Sequence, residues 1–196
     1  MITEHIFIAI GWIVFCILHS LLASLWLKKK VEKWLGRNYQ YYRGFYTTFA
    51  LITFAIVVLQ QVSTSSPYLF KQNEVCMFLG GLIAFIGLIA MAISLSKYVF
   101  NIYGFNRLFG KVSEPLLIEE GIHSRVRHPL YLGTFLFIWG AWLIFPWVSL
   151  LISNVIITVY TLIGIKLEEH KLMLQFGEKY VSYQKRVPMI FPKLKG

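Results

Sequence analysis

Long apolar runs alternate with short polar segments along the whole chain. Five of these runs are long enough, or nearly long enough, to cross about 30 Å of hydrocarbon as a helix that rises about 1.5 Å per residue. They cover residues 2–27, 41–62, 75–95, 129–145 and 148–165. The pattern predicts an all-α polytopic membrane protein with about five transmembrane helices. Because the first run lacks a basic leading segment and a small-residue cleavage site, we expect a retained helix and not a signal peptide.

Turn and breaker residues separate the later runs. Residues 63–67 read Ser-Thr-Ser-Ser-Pro, which is typical of a helix end followed by a turn. Pro129 is acceptable in the first turn of a helix, where its missing N–H would be unpaired in any case. Pro146 and Trp147 can form a tight corner between the last two spans. These signals predict a helical hairpin that is followed by a charged helical extension.

The order of these segments predicts one integral membrane domain over residues 1–196. We expect it to comprise three N-terminal spans, an interfacial segment with a cytoplasmic loop, the helical hairpin and a cytoplasmic C-terminal extension, over residues 1–96, 97–128, 129–165 and 166–196 respectively.

Composition supports the membrane assignment. Hydrophobic residues make up 57% of the chain and charged residues only 14%, whereas soluble proteins carry roughly 25% charged residues. The formal charge of the chain is +10. A basic balance of this kind is typical of nucleic-acid-binding proteins, but cytoplasmic loops of membrane proteins also carry an excess of Lys and Arg. We therefore expect membrane lipids as partners, with the lysines that follow the first span at anionic headgroups, and no nucleic acid.

The distribution of Lys and Arg predicts the orientation in the bilayer. With five spans, only Lys71 of the nineteen basic residues falls outside the cytoplasmic side. This arrangement places the N-terminus outside and the C-terminus in the cytoplasm, and we expect the membrane to be a bacterial cytoplasmic membrane.

Ionisable residues gather at both ends of the hairpin. Arg127 and His128 precede its first helix, and Glu168 and Glu169 follow its second. A helix N-terminus beside an arginine attracts an anion, and a pair of glutamates attracts a cation or an amino group. Such a place suits a zwitterionic ligand. The alternative is that these charges pair with one another and only terminate the two spans.

Other reactive side chains give weaker signals. A histidine inside a span is a functional candidate, but His19 lies near the basic end of its span, where a structural hydrogen bond is the alternative. Cys16 and Cys76 lie in apolar runs and are expected to pack there, not to form a disulfide. The chain has no His-x-x-x-His pair, and we predict no metal site.

Several motifs in the last third of the chain occur together. They are Gly121-Ile122, Arg127-His128-Pro129-Leu130-Tyr131-Leu132-Gly133, Glu168-Glu169, and Phe176-Gly177-x-x-Tyr180-x-x-Tyr183-x-x-Arg186-Val187-Pro188. Over residues 115–192 this combination resembles the isoprenylcysteine carboxyl methyltransferase and phospholipid methyltransferase superfamily of integral membrane enzymes. His19-Ser20-Leu21-Leu22-Ala23 and Tyr42-Arg43-x-x-Tyr46 look like its NnrU-like and methanethiol S-methyltransferase branch.

The resemblance implies S-adenosyl-L-methionine as methyl donor, bound by the cytoplasmic C-terminal helical region without a Rossmann domain. That donor carries a carboxylate, an amino group and a sulfonium, and is therefore a zwitterionic ligand. The residues that the resemblance assigns to its binding are Gly121, Ile122, Arg127, His128, Tyr131, Glu168 and Glu169. The glutamates would hold the cationic end, and backbone groups near Gly121 would contact the adenosine.

The resemblance leaves several acceptors open. A thiol, such as the small thiol methanethiol, is favoured; it reacts as the thiolate, which cationic Arg186, Arg127 or His19 would stabilise. The alternatives are carboxyl methylation of an isoprenylcysteine, with Arg186 orienting the carboxylate, and N-methylation of a phospholipid. Arg186 could instead be an interfacial anchor. A non-catalytic NnrU-like membrane accessory protein is the alternative from another class, and the motifs indicate no oligomeric state.

Overall fold

The computed structural model describes residues 2–101 and 117–192. These residues form seven α-helices, which are α1 Ile2–Ala23, α2 Leu25–Leu35, α3 Tyr42–Ser63, α4 Glu74–Asn101, α5 Pro129–Ile144, α6 Val148–Phe176 and α7 Glu178–Arg186. Short 3-10 helices cover Gly36–Tyr41 and Gly121–Ser124. The described residues contain no β-strand, and the all-α prediction is confirmed.

Four of these helices are long and apolar enough to cross a membrane. They are Ile2–Ala23, Gly44–Ser63, Glu74–Ser96 and Val148–Phe176. The fifth predicted span, α5, is a shorter apolar helix of 16 residues. At about 1.5 Å per residue it extends about 24 Å, less than the hydrocarbon thickness. The polytopic membrane class is confirmed, and α5 ends one residue before the predicted end of its run.

The first predicted span is wrong at its C-terminal end. The hydroxyl of Ser24 donates to the carbonyl of Leu21 at 2.7 Å and accepts from the backbone N–H of Leu27 at 3.3 Å. Ser24 thereby caps a new helix, so that α1 ends at Ala23 and the lysine-rich segment is helical instead of a loop. The hydrophobic pattern does not reveal this break, because the apolar residues after Ser24 continue the run.

Helix α6 extends beyond the predicted end of the last span at Ile165. It runs for 29 residues from Val148 to Phe176, so the predicted helical extension begins within the same helix and both glutamates lie in it. Gly177, with φ of 54°, then separates α6 from α7, and a positive φ favours glycine.

The predicted interfacial segment and loop are described only up to residue 101 and from residue 117; the positions between lie outside the described residues.

The chain divides into two compact units. The first unit comprises residues 1–71 and 146–160, and the second unit comprises residues 72–145 and 161–196. In the first unit, Ile8 and Trp12 of α1 pack with Val57 of α3. A buried hydrogen-bond network adds to this core, because Gln61 donates to Ser149 at 2.9 Å and accepts from Ser153 at 2.6 Å. The single-domain organisation of the chain stays a prediction.

Glycines bring α4 and α5 into close contact in the second unit. A β-carbon at Gly140 would lie 2.5 Å from the backbone nitrogen of Ala84 and 2.7 Å from the carbonyl oxygen of Gly80. A β-carbon at Gly133 would similarly lie 2.8 Å from the carbonyl oxygen of Gly87. Small residues at such crossings allow the backbones to approach. This contact positions the start of α5, which carries the candidate site.

We expect Gly140→Ala to lower the free energy of unfolding by about 1–3 kcal/mol, since the added methyl group must displace backbone atoms of α4. Gly81→Ala is the matched control: a β-carbon there meets nothing within 4 Å, and alanine favours the helix by about 0.5–1 kcal/mol. The thermal unfolding midpoint in detergent measures the stability of both variants. Equal midpoints for the two variants would contradict the close contact.

Candidate functional site

The candidate site is built around the carboxylate of Glu169 on α6. Its Oε1 accepts hydrogen bonds from Arg127 Nε at 2.7 Å and pairs with Arg127 Nη2 at 2.6 Å. The same oxygen lies 3.1 Å from His128 Nε2. Its Oε2 accepts from the amide of Gln184 at 3.2 Å. Both oxygens of Glu169 are therefore engaged by the protein, in a place where the side chain is only 8% exposed.

Arg127 also connects the start of α5 to the residues at and after the end of α7. Its Nη1 donates to the carbonyl of Gln184 at 3.2 Å and to the carbonyl of Val187. The backbone N–H groups of Arg127 and His128 donate to the carbonyls of Pro188 and Met189, at 2.9 and 3.1 Å. All three guanidinium nitrogens therefore have acceptors within the protein, and Arg127 holds α6, α7 and the residues after α7 together.

Glu168 has a different environment although it is the neighbouring residue. Successive helix residues point about 100° apart, and the Glu168 side chain is 37% exposed. Its Oε2 accepts from the Tyr131 hydroxyl at 3.0 Å and lies 3.8 Å from His128 Nδ1. Its Oε1 accepts no hydrogen bond from the described residues. Glu168 is thus the glutamate with an available oxygen.

A cavity of about 150 Å³ lies beside these side chains. Arg127, His128 and Glu168 line its polar side. Its other walls are largely apolar and aromatic, formed by Leu117, Ile118, His123, Leu172, Phe176, Tyr180 and Tyr183. The cavity therefore combines a carboxylate with an apolar wall, which suits a ligand that joins a cationic group to a flat or apolar part.

Tyr180 is the most buried of the cavity residues, with 1% of its surface exposed. Its hydroxyl makes no hydrogen bond of ordinary geometry with the described residues. Burial, and after it the charge of Glu169, raise the pKa of Tyr180 well above its usual range, so the phenol stays neutral. Tyr183 next to it is fixed instead by donating its hydroxyl to the carbonyl of His123 at 2.6 Å.

The structure brings together five of the predicted cofactor-binding residues. These are Arg127, His128, Tyr131, Glu168 and Glu169. Gly121 and Ile122 lie in the same 3-10 turn as His123, and φ of Gly121 is 65°. The carbonyl of Ile122 already accepts from the backbone N–H of Arg125 at 3.1 Å, so the turn's own hydrogen bonds use this group.

The remaining predicted residues, Arg186 and His19, contact other partners among the described residues. Arg186 on α7 is exposed and pairs with Glu119 at 2.7 Å. His19 belongs to the first unit, where its ring lies 3.2 Å from the hydroxyl of Tyr46. In residues 2–101 and 117–192, no three His, Cys, Asp or Glu side chains converge as a metal ion requires.

Sequence reasoning missed Gln184, although the chain carries a signal for it. Tyr180, Tyr183 and Val187 lie on the buried face of α7 and its end. Gln184 belongs to the same helical face by its spacing, and an amide among buried apolar positions indicates a polar partner. The partner is Glu169.

The part of the chain that carries the candidate site is similar to known proteins. A family model described as phospholipid methyltransferase matches residues 75–179. Methanethiol S-methyltransferases of Crocosphaera subtropica and Pseudomonas deceptionensis are 35% identical over 98 residues and 39% identical over 88 residues. These alignments cover 47% and 44% of this chain, and 38% and 30% of the relatives.

A further relative is the protein-S-isoprenylcysteine O-methyltransferase of Schizosaccharomyces pombe. It is 35% identical over 78 residues, which are 39% of this chain and 33% of that protein. The chain thus matches only about a third of the length of these curated relatives. No solved structure matches the chain.

We expect Glu169→Gln to lower the free energy of unfolding by about 3–5 kcal/mol, because it leaves the buried guanidinium of Arg127 without a counter-charge. Glu168→Gln should change stability little, since an amide oxygen can still accept from Tyr131 and the side chain is partly exposed. Chemical or thermal unfolding of both variants in the same detergent measures the difference. A loss of similar size in the two variants would contradict this division between the glutamates.

Proposed function

The chain belongs to the phospholipid methyltransferase family, which confirms the resemblance in its motifs, and we propose that it methylates a thiol with S-adenosyl-L-methionine as donor. A small thiol such as methanethiol is the favoured acceptor. The observation that carries the proposal is the available carboxylate oxygen of Glu168 beside an apolar aromatic cavity. The similarity to methanethiol S-methyltransferases supports the choice of acceptor.

The residues of the cavity fit the proposed donor. Its amino group matches the available Oε1 of Glu168, because a carboxylate accepts charge-assisted hydrogen bonds from an ammonium. Its positive sulfur suits the faces of aromatic rings such as Phe176. The buried hydroxyl of Tyr180 lacks a partner that a polar ligand atom can supply. The volume of about 150 Å³ between the described residues takes one end of the donor.

Under this proposal the two glutamates have separate tasks. Glu168 contacts the cationic end of the donor, and the Tyr131 hydroxyl holds the Glu168 carboxylate in place. Glu169 contacts no ligand, since Arg127, His128 and Gln184 already occupy its oxygens. Arg127 is then a positioning residue that fixes the segment after α7, and not a partner of the donor carboxylate.

The donor and the protein contribute different parts of the proposed reaction. When bound, the donor supplies a methyl group on a positively charged sulfur. The acceptor thiolate forms a new S–C bond as the S–C bond to that sulfur breaks, and a thioether is the product. The chain's residues bind and orient the reactants in line and exclude water. We retain Arg186 and His19 as proposals for favouring the thiolate, because the guanidinium is permanently positive and an imidazole ring can take up the proton of a thiol.

The protein is an integral membrane protein, and we propose a location and an orientation for it. The excess of Lys and Arg in the predicted cytoplasmic segments supports a cytoplasmic C-terminus and an N-terminus outside. In this orientation the site faces the cytoplasm of a bacterial cell.

Carboxyl methylation of an isoprenylcysteine is the second candidate function. The similarity to protein-S-isoprenylcysteine O-methyltransferases supports it. A carboxylate acceptor needs no deprotonation at neutral pH. The methylated product distinguishes a thiol acceptor from an isoprenylcysteine acceptor, and the following experiment identifies that product.

We expect the detergent-purified full chain to transfer label from methyl-labelled S-adenosyl-L-methionine to methanethiol, with volatile label collected from the headspace. Glu168→Gln should lower the rate by about tenfold to a hundredfold, which corresponds to the loss of one charge-assisted hydrogen bond. The matched control is Glu178→Gln, which makes the same chemical change at an exposed position outside the cavity lining.

Label in farnesylcysteine ester and none in the headspace would replace the thiol by the isoprenylcysteine acceptor. Donor binding without transfer to any of these acceptors, or to phosphatidylethanolamine, would support a non-catalytic role. Equal rates for Glu168→Gln and Glu178→Gln would contradict the proposed donor site.

A further inference from the structure

We propose that the first unit holds one anionic phospholipid beside helix α2, with an acyl chain in an apolar cavity and the headgroup at lysines of that helix. This binding site shares no lining residue with the proposed methyl-transfer site and does not rest on the proposed function. Three observations carry it: an apolar cavity, rigid walls and the placement of the lysines.

The cavity has a volume of about 280 Å³ and opens to one side. Leu27, Val31 and Trp34 of α2 form one wall, and Leu22 of α1 and Phe45 of α3 contribute to the others. Its lining is almost wholly apolar. A cavity of this size and chemistry accepts part of a hydrocarbon chain, whereas it offers almost no polar groups to a soluble metabolite.

The walls of the cavity are fixed by specific hydrogen bonds. The buried Tyr42 donates its hydroxyl to the carbonyl of Leu22 at 2.8 Å, which joins the start of α3 to the end of α1. Ser24 caps α2, and Gly36, with φ of 52°, ends it. The ring of Tyr39 stacks on that of Tyr42 with centroids 5.7 Å apart. These contacts hold in place the backbone segments that carry the cavity walls.

The cavity lies at a membrane boundary. Helix α2 and the 3-10 helix Gly36–Tyr41 connect two candidate spans, so both must lie at one face of the bilayer. Trp26 and Trp34 are 65% and 83% exposed, as is typical of tryptophans at the headgroup level. An apolar face and a lysine-rich opposite side on α2 are likewise typical of interfacial helices.

The lysines divide into two pairs around α2. With about 100° between successive residues, Lys28 and Lys30 flank the face that lines the cavity, and Lys29 and Lys33 lie on the opposite side. The Lys30 ammonium also lies 5.3 Å from the centre of the Trp26 ring. Flanking ammonium groups can contact a phosphate while the acyl chain of the same molecule enters the cavity. Charge complementarity therefore favours an anionic lipid over a zwitterionic one.

Native mass spectrometry of the delipidated full chain in detergent tests the proposal, with phosphatidylglycerol and phosphatidylcholine of identical acyl chains as probes. We expect one phosphatidylglycerol to be retained per chain, at a lipid concentration about fivefold to twenty-fivefold lower than phosphatidylcholine requires. This ratio corresponds to one or two lysine contacts. Lys28→Gln/Lys30→Gln should abolish the preference.

The matched control is Lys29→Gln/Lys33→Gln, which removes the same charge from the opposite side of α2 and should keep the preference. Val31→Phe fills the cavity and should remove the bound lipid. Equal retention of the two lipids by the unaltered chain would overturn the proposal. An equal loss in the two lysine variants would also overturn it, because it would show only general attraction to anions.

A second measurement does not depend on how the variants fold. Phosphatidylglycerol with brominated acyl chains should quench the tryptophan fluorescence of the unaltered chain in a saturable manner, and Trp34→Phe should remove most of this component. Quenching that rises without saturation, or that is the same for brominated phosphatidylcholine, would overturn the proposal.

Discussion

The second unit depends on one buried carboxylate. Glu169 accepts from Arg127, His128 and Gln184, which come from the entrance of α5 and from α7. A buried ion pair is stable only when further hydrogen bonds compensate for the loss of hydration. Here the remaining guanidinium nitrogen donates to backbone carbonyls at Gln184 and Val187. The cluster therefore links three parts of the chain that are distant in sequence.

This cluster explains why two adjacent glutamates differ so strongly. Because Glu169 faces the protein, the preceding position on the helix, Glu168, is directed towards the cavity. Tyr131 then fixes one oxygen of Glu168 and leaves the other available. We propose that the protein uses the first glutamate to bind ligand and the second to hold the site in shape. The aromatic wall around Tyr180 supplies the apolar part of the same site.

Local signals in the sequence predicted much of this arrangement. Pro129 predicted the first residue of α5, and the structure places it there. Pro146 lies between the end of α5 and the start of α6, where the sequence predicted a break. The motif spacing identified the ionisable cluster. The end of α1 was wrong because one serine cap interrupts an apolar run that otherwise continues. The helical extension predicted after the last span is present and belongs to the same helix as that span, since a change from apolar to charged residues marks the edge of a membrane and does not end a helix.

The orientation of individual side chains was beyond sequence reasoning. Arg127 next to a helix N-terminus suggested an anion from solution, with pairing to a glutamate as the alternative; its partners are Glu169 and backbone carbonyls far along the chain. Such partners depend on tertiary packing, which spacing along the chain does not report. The same holds for the choice between the two glutamates, since both carry the same chemistry and only burial separates them.

Calorimetric titration of S-adenosyl-L-methionine into the unaltered chain and into Glu168→Gln tests the central claim most directly, at a temperature where both proteins are folded. The account predicts saturable binding to the unaltered chain and binding about tenfold to a hundredfold weaker in the variant, because one charge-assisted hydrogen bond is lost. Equal affinities in the two proteins would contradict the assignment of Glu168 as the residue that contacts the donor.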